Sequence, residues 1–137
     1  MKKQTKKKAK TLSQLTHELD KWFSLFIRHR ESKDGMNRCV SCGRTLPIKE
    51  LQCGHYVSRS NRSTRWDENN CWPQDAFCNV FKNGNYPEYT KYLLDRFGQK
   101  WLDDLIKKGR EIKKFTRFDL QEKINYYKEW ISQNEKK

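Results

Sequence analysis

Two cysteines three positions apart, Cys39 and Cys42, are followed at once by Gly43 and Arg44. That spacing reads as a zinc knuckle, a tight turn that aims two thiolates at one tetrahedral ion. A redox pair with the same spacing belongs at the start of a helix after a strand, and Gly43 and Pro47 deny it that helix. Cys53, Cys71 and Cys78 bring the total to five. An odd number without a secretory leader argues against a disulfide framework and for a cytoplasmic chain that uses its thiols on metal. A metal staple matters here because only 34% of the 137 residues are hydrophobic and 34% are charged. Such a balance borders on disorder. The aromatic content of 13%, with five Trp, offsets it, since each aromatic ring buries a large area. The length suits one small domain, and no apolar run approaches the roughly 18 residues of a membrane span.

The formal net charge is +13, with 30 Lys and Arg against 17 Asp and Glu. Six lysines and no acid fall in residues 1–10, which leaves +7 on the rest of the chain. A basic tail alone means little. An excess on the folded part needs a surface to sit on and points to a polyanion, most simply nucleic acid.

Residues 1–10 read as a disordered basic arm and 11–137 as one domain. Thr11 and Gln14 form a capping box for an N-terminal helix over 11–31. Leu12, Leu15, Leu19, Trp22, Phe23, Phe26 and Ile27 follow at steps of three and four, a core-facing stripe. Residues 37–85 form the knuckle, then short strands around 44–48 and 51–57 paired as a hairpin. A polar loop over 58–73 carries Arg59, Arg62 and Arg65, and a short helix runs from about Asp75 to Asn83. The C-terminal helices lie in 86–133: one starts at Pro87 and ends at Gly98, one covers 99–108, and one is capped by Asp119 and Glu122. The fold class expected is α+β, mainly helical, with a small zinc-stapled ββα-metal (HNH, treble-clef-like) module between helical flanks.

Within 39–85 a His closes the hairpin (His55), an Asn follows in the loop (Asn70), and another Asn comes directly after a Cys at a helix start (Asn79). This is the order of an HNH nuclease site. Phosphodiester hydrolysis needs a water deprotonated near neutral pH, which suits imidazole. It needs a metal to stabilise charge developing on the phosphate, and a group to fix the imidazole tautomer.

The sequence resembles the NinG (Rap) recombination proteins of lambda-like phages over roughly residues 12–131. The resemblance rests on Trp22 to Arg28, Cys39 to Cys42, Cys53-Gly54-His55 to Arg59, Ser63 to Asn70, Cys78-Asn79, Asn83-Gly84-Asn85, Tyr89 and Phe97-Gly98. It implies a metal-dependent, structure-specific endonuclease acting on branched DNA such as Holliday junctions and D-loops, distantly related to phage endonuclease VII. It also implies residue roles. His55 is the general base, Asn79 ligates a catalytic Mg²⁺ or Mn²⁺, and Asn70 orients His55 or its backbone. Arg59 and Arg65 grip phosphates, joined by Arg62 and Lys82. A junction has two strands to cut, so a homodimer through the helical flanks fits the task. The alternative reading is a non-catalytic, zinc-containing nucleic-acid-binding module.

Two positions depart from the pattern. Many HNH sites carry an acid just before the base, and here that position is Gly54, which leaves Asp67, Glu68 and Asp75 as candidates for a second ion ligand. The distal knuckle of the structural zinc site has Cys78 but Asp75 where a second Cys is expected. The fourth zinc ligand beside Cys39, Cys42 and Cys78 is therefore Cys71, Asp75 or Cys53, with Cys71 favoured because thiolate suits structural zinc better.

Overall fold

In the computed structural model, which describes residues 8–135, Thr11 caps helix α1 (Leu12–His29) through the expected reciprocal bonds with Gln14. Of the basic arm, residues 1–7 lie outside the described residues; Lys10 pairs with Glu18. The apolar stripe of α1 buries Leu15, Leu19, Phe23, Phe26 and Ile27 against the C-terminal helix α5 (Arg117–Asn134). Rings make up much of that seam: Phe26 meets Tyr127 and Trp130 with centroids 4.9 Å apart in each case. A chain poor in aliphatics thus gains its core from wide, flat side chains. Helix α5 is capped by Thr116 with Asp119 at its third position, one turn earlier than Asp119-Glu122 implied, because a hydroxyl before the first turn takes the cap.

Between these helices lie two small antiparallel sheets, and here the expected hairpin is corrected. Strand β2 (Thr45–Pro47) pairs across the knuckle with β1 (Met36–Arg38), Arg38 opposite Thr45. Strand β3 (Leu51–His55) pairs instead with β4 (Cys71–Asp75), Leu51 opposite Asp75 and His55 opposite Cys71. The segment read as the end of a polar loop is therefore a strand, buried at every position. Pro73 hid it. A two-stranded sheet has only edges, so a proline without an N–H fits, and its carbonyl accepts from Val40 N at 3.0 Å. The rest of the loop contains a single helical turn, α2 (Arg62–Arg65).

The expected helix after Asp75 is a five-residue π-helical turn, Phe77–Phe81. Asp75 Oδ1 accepts from Cys78 N at 2.7 Å and caps it. Gly84, with φ at +92°, closes it by donating to Cys78 and Asn79 carbonyls. Helices α3 (Tyr86–Phe97) and α4 (Gln99–Gly109) follow, divided at Gly98 as expected. They form a second core in which Trp72, Tyr89, Leu93, Leu102 and Leu105 are buried together. The architecture is α+β and mainly helical, with the β3–β4 pair held between helices and the largely exposed β1–β2 pair packed beside β4. Among the described residues no helix is long and apolar enough to cross a membrane.

Candidate functional site

Cys39, Cys42, Asp75 and Cys78 converge, with one ligand atom from each within 4.8 Å of the others. Zn–S bonds of about 2.3 Å set tetrahedral sulfurs roughly 3.8 Å apart, so this group fits a metal ion such as zinc. Two of the donors are already joined by a hydrogen bond. Cys42 Sγ donates to Asp75 Oδ2 at 2.9 Å, a proton that an ion displaces. Partial desolvation and that hydrogen bond push the Cys42 thiol up to about 12. Burial raises the Asp75 carboxyl, but donation from Cys42 and from the Cys78 amide outweighs it and holds Asp75 below the ordinary carboxylate range.

Cys71, the favoured fourth ligand, is not in this group. It sits at the far end of β4, four residues from Asp75 and so about 13 Å away along a strand. The register puts Asp75 beside the knuckle and Cys71 opposite His55. Cys53, opposite Pro73 at the middle of the ladder, joins Cys71 and His55 in a separate cluster.

That end of β3 and β4 borders a cavity of about 490 Å³ whose lining includes His55, Asn79, Arg59, Asp20, Ser24 and Cys53. His55 Nε2 lies 2.8 Å from the Arg65 carbonyl oxygen. A carbonyl only accepts, so Nε2 carries the proton and Nδ1 the lone pair. Burial holds the imidazole below its ordinary pKa range, which the Arg65 hydrogen bond and the charge of Asp20 only partly oppose, so the ring is a neutral base at neutral pH.

Asn79 enters from the π-helical turn. Its Nδ2 donates to Gln52 Oε1 at 2.7 Å, which leaves the amide oxygen without a protein donor among the described residues. Asn70 is fully buried and makes no hydrogen bond to the His55 ring. Its Oδ1 accepts from Val57 N at 2.7 Å, and its Nδ2 donates to the Val57 and Thr64 carbonyls. It ties the backbone just after His55 to the turn that carries Arg65, which is a positioning role.

The arginines separate. Arg59 lines the cavity, with its side chain 62% exposed and only a 3.5 Å contact to Asp20. Arg65 is committed: Nε and Nη2 lie 3.1 and 2.6 Å from the two oxygens of Asp20, and its side chain is 12% exposed. It acts as an anchor where a phosphate contact was expected. Arg62 is exposed on α2, near the Trp66 ring. Lys82 is exposed at the end of the π-helical turn, beside Phe77.

None of the three acids proposed as second ion ligand lies in the cavity. Asp67 pairs with Lys108 at 2.5 Å, Glu68 accepts from Tyr127 Oη at 3.0 Å, and Asp75 belongs to the cysteine cluster. The carboxylate there is Asp20 of α1, which sequence reasoning missed. Burial raises its pKa, but hydrogen bonds from Arg65 and Trp66 outweigh that and keep it ionised. Its one signal is a charged residue directly beside Leu19 of the buried stripe; its partner Arg65 is 45 positions away.

The place left for an acid before His55 is filled from the opposite strand. A Cβ on Gly54 would lie 2.1 Å from Gln74 Oε1. Gln74 is fully buried, and its Nε2 donates at 2.7 Å to both Ser41 Oγ in the knuckle and the Gly84 carbonyl. One amide thereby links the cysteine cluster, the strand pair and the π-helical turn.

Comparison with known proteins adds the family. The family described as bacteriophage lambda NinG protein matches residues 1–137. Among individual relatives, the chain is 37% identical over 81 residues to the protein ninG of Escherichia phage 933W. It is 36% identical over 81 residues to the ninG proteins of Escherichia phage lambda and Salmonella phage P22. Each alignment covers 58% of this chain but only 38% of the relative, so the match spans well under half the length of those curated proteins. No solved structure matches.

Proposed function

The chain belongs to the bacteriophage lambda NinG family, and from that premise we propose that it is a metal-dependent endonuclease acting on branched DNA intermediates of phage recombination. The observation that carries this reading is His55. It is a half-buried, neutral imidazole locked on the Arg65 carbonyl through Nε2, in one cavity with Asn79 and Arg59. A locked tautomer leaves Nδ1 as the nitrogen that takes a proton from an attacking water. Arg59, exposed beside it, holds a phosphate oxygen and contributes salt-sensitive affinity without reading bases.

A catalytic divalent ion would be held by the Asn79 amide oxygen and would neutralise charge on the phosphate. The donor set is sparse because Asp20 is committed to Arg65 and Trp66. Mg²⁺ keeps several waters and takes other oxygens from phosphate, so one amide oxygen suits it. The strand pair β3–β4 followed by the π-helical turn, with His55 on the first and Asn79 on the last, supports a ββα-metal module. The cysteine cluster at its other end ties β4 and the π-helical turn to the Cys39–Cys42 knuckle. The helical flanks, α1 on α5, suit a scaffold that presents this module to a junction.

The test is cleavage of a labelled four-way junction and its matched linear duplex, with Mg²⁺ or EDTA, beside His55→Ala. Metal-dependent cutting of the junction, lost in His55→Ala while DNA binding survives, is the expected result. Binding with no cutting in Mg²⁺ or Mn²⁺ overturns the enzyme and leaves a zinc-containing DNA-binding module.

A further inference from the structure

The thiols of Cys53 and Cys71 and one ring nitrogen of His55 lie within 4.8 Å of one another. The register produces this: His55 faces Cys71 across the ladder, and Cys53, two residues before His55, projects from the same face. We propose that these three residues form a second site for a thiophilic divalent ion of the Zn²⁺ class, separate from Cys39, Cys42, Asp75 and Cys78, and that an ion bound there takes His55 out of service.

Two sulfurs and an imidazole nitrogen are a soft donor set that Mg²⁺ does not favour and zinc does. Three protein ligands leave a fourth position, and Cys53 and His55 both line the cavity, so water or substrate oxygen can reach it. Charge also fits. Arg28 lies near Cys53, and Arg30 donates to the Cys71 carbonyl at 2.8 Å, so two guanidinium groups flank the two thiolates that an ion would create.

Either ring nitrogen leads to the same consequence. An ion on Nδ1 occupies the lone pair that accepts the water proton. An ion on Nε2 displaces that nitrogen's proton and breaks its bond to Arg65. Inhibition rests on the nuclease reading given above; the binding site does not.

The test titrates the reduced 137-residue chain, its bound metal first quantified, with Cd²⁺ while thiolate-to-cadmium absorbance is followed. Cys53→Ser, half-buried and nearly isosteric, is run in parallel with its circular dichroism checked against wild type. Wild type is expected to take up one equivalent more than Cys53→Ser, and the His55 ring-nitrogen resonances to shift with that equivalent only in wild type. Equal uptake, or an extra equivalent that leaves His55 unmoved, overturns the site. In the junction assay at fixed Mg²⁺, the Zn²⁺ concentration that halves each protein's own rate should rise at least tenfold in Cys53→Ser; an unchanged value overturns the inhibitory role. A wild type that cuts nothing refutes the nuclease reading and leaves the cadmium stoichiometry to decide the site.

Discussion

Gly54→Ala adds a single methyl beside the candidate base, and the structure gives its cost. The new Cβ would lie 2.1, 2.6 and 2.7 Å from Oε1, Cδ and Cγ of Gln74, where ordinary contact is 3.4–4 Å. Gln74 cannot swing away freely, because it is fully buried and bonded at 2.7 Å to Ser41 and Gly84. Overpacking costs about 1–3 kcal/mol, and leaving buried polar partners unsatisfied costs about 1–3 kcal/mol more. A combined loss of roughly 4 kcal/mol is a large share of the ~5–15 kcal/mol that holds a domain together. With a urea m-value of about 2 kcal/mol/M, the unfolding midpoint falls by about 2 M at constant m. The mechanism is tested by adding Gln74→Ala, which removes the clashing atoms: the double variant should be about 2 kcal/mol more stable than the two single losses summed. A Gly54→Ala midpoint within about 0.3 M of wild type, or strictly additive losses, refutes the packing argument.

Three further outcomes are expected. Asp20→Asn leaves Arg65 without its carboxylate, and for a pair that is only partly buried the loss is about 1–3 kcal/mol in urea unfolding; because the Arg65 carbonyl holds His55, junction cleavage should fall with it. The folded pKa of Asp20 lies below 3.8, so its contribution is complete above that value and is lost as pH falls through the folded pKa, which Asp20→Asn should flatten in an acid-unfolding titration. Removing metal from the Cys39 cluster should lower the thermal midpoint, with Asp75→Ala mimicking the loss and Asp75→Cys retaining the ion, checked by metal analysis and calorimetry.

Local patterns were legible wherever the partners are close in sequence. The Thr11 box, the α1 stripe, the Gly98 break and the Cys39–Cys42 knuckle depend on spacings of a turn or less. Strand pairing was not. Residues 71–75 contain Trp72 and Pro73 amid polar neighbours, a pattern without alternation, and became a strand because β3 pairs with them while the α1–α5 core takes Cys71 and the α3–α4 core takes Trp72. The preference for Cys71 over Asp75 as the fourth metal ligand followed thiolate chemistry, which is sound in itself. Strand register decides instead, because four residues of extended chain carry Cys71 out of reach of the knuckle. Asn70, expected to orient His55 or its backbone, hydrogen-bonds the Val57 backbone and the Thr64 carbonyl, partners that its place in a polar loop does not reveal.

By itself, then, the sequence determined the inventory and the local elements: the helices, the knuckle, the excess positive charge, and the His and Asn residues that carry the candidate chemistry. Short-range hydrogen bonding and hydrophobic periodicity settle those within a few residues. Only the tertiary structure decided the company those residues keep. It set Asp20 on Arg65 across 45 positions, fixed the His55 tautomer through a carbonyl ten residues on, and filled the space before the base with Gln74. It also sorted five cysteines into two clusters at opposite ends of one strand pair. Those assignments depend on register and burial between distant segments, which no spacing along the chain encodes.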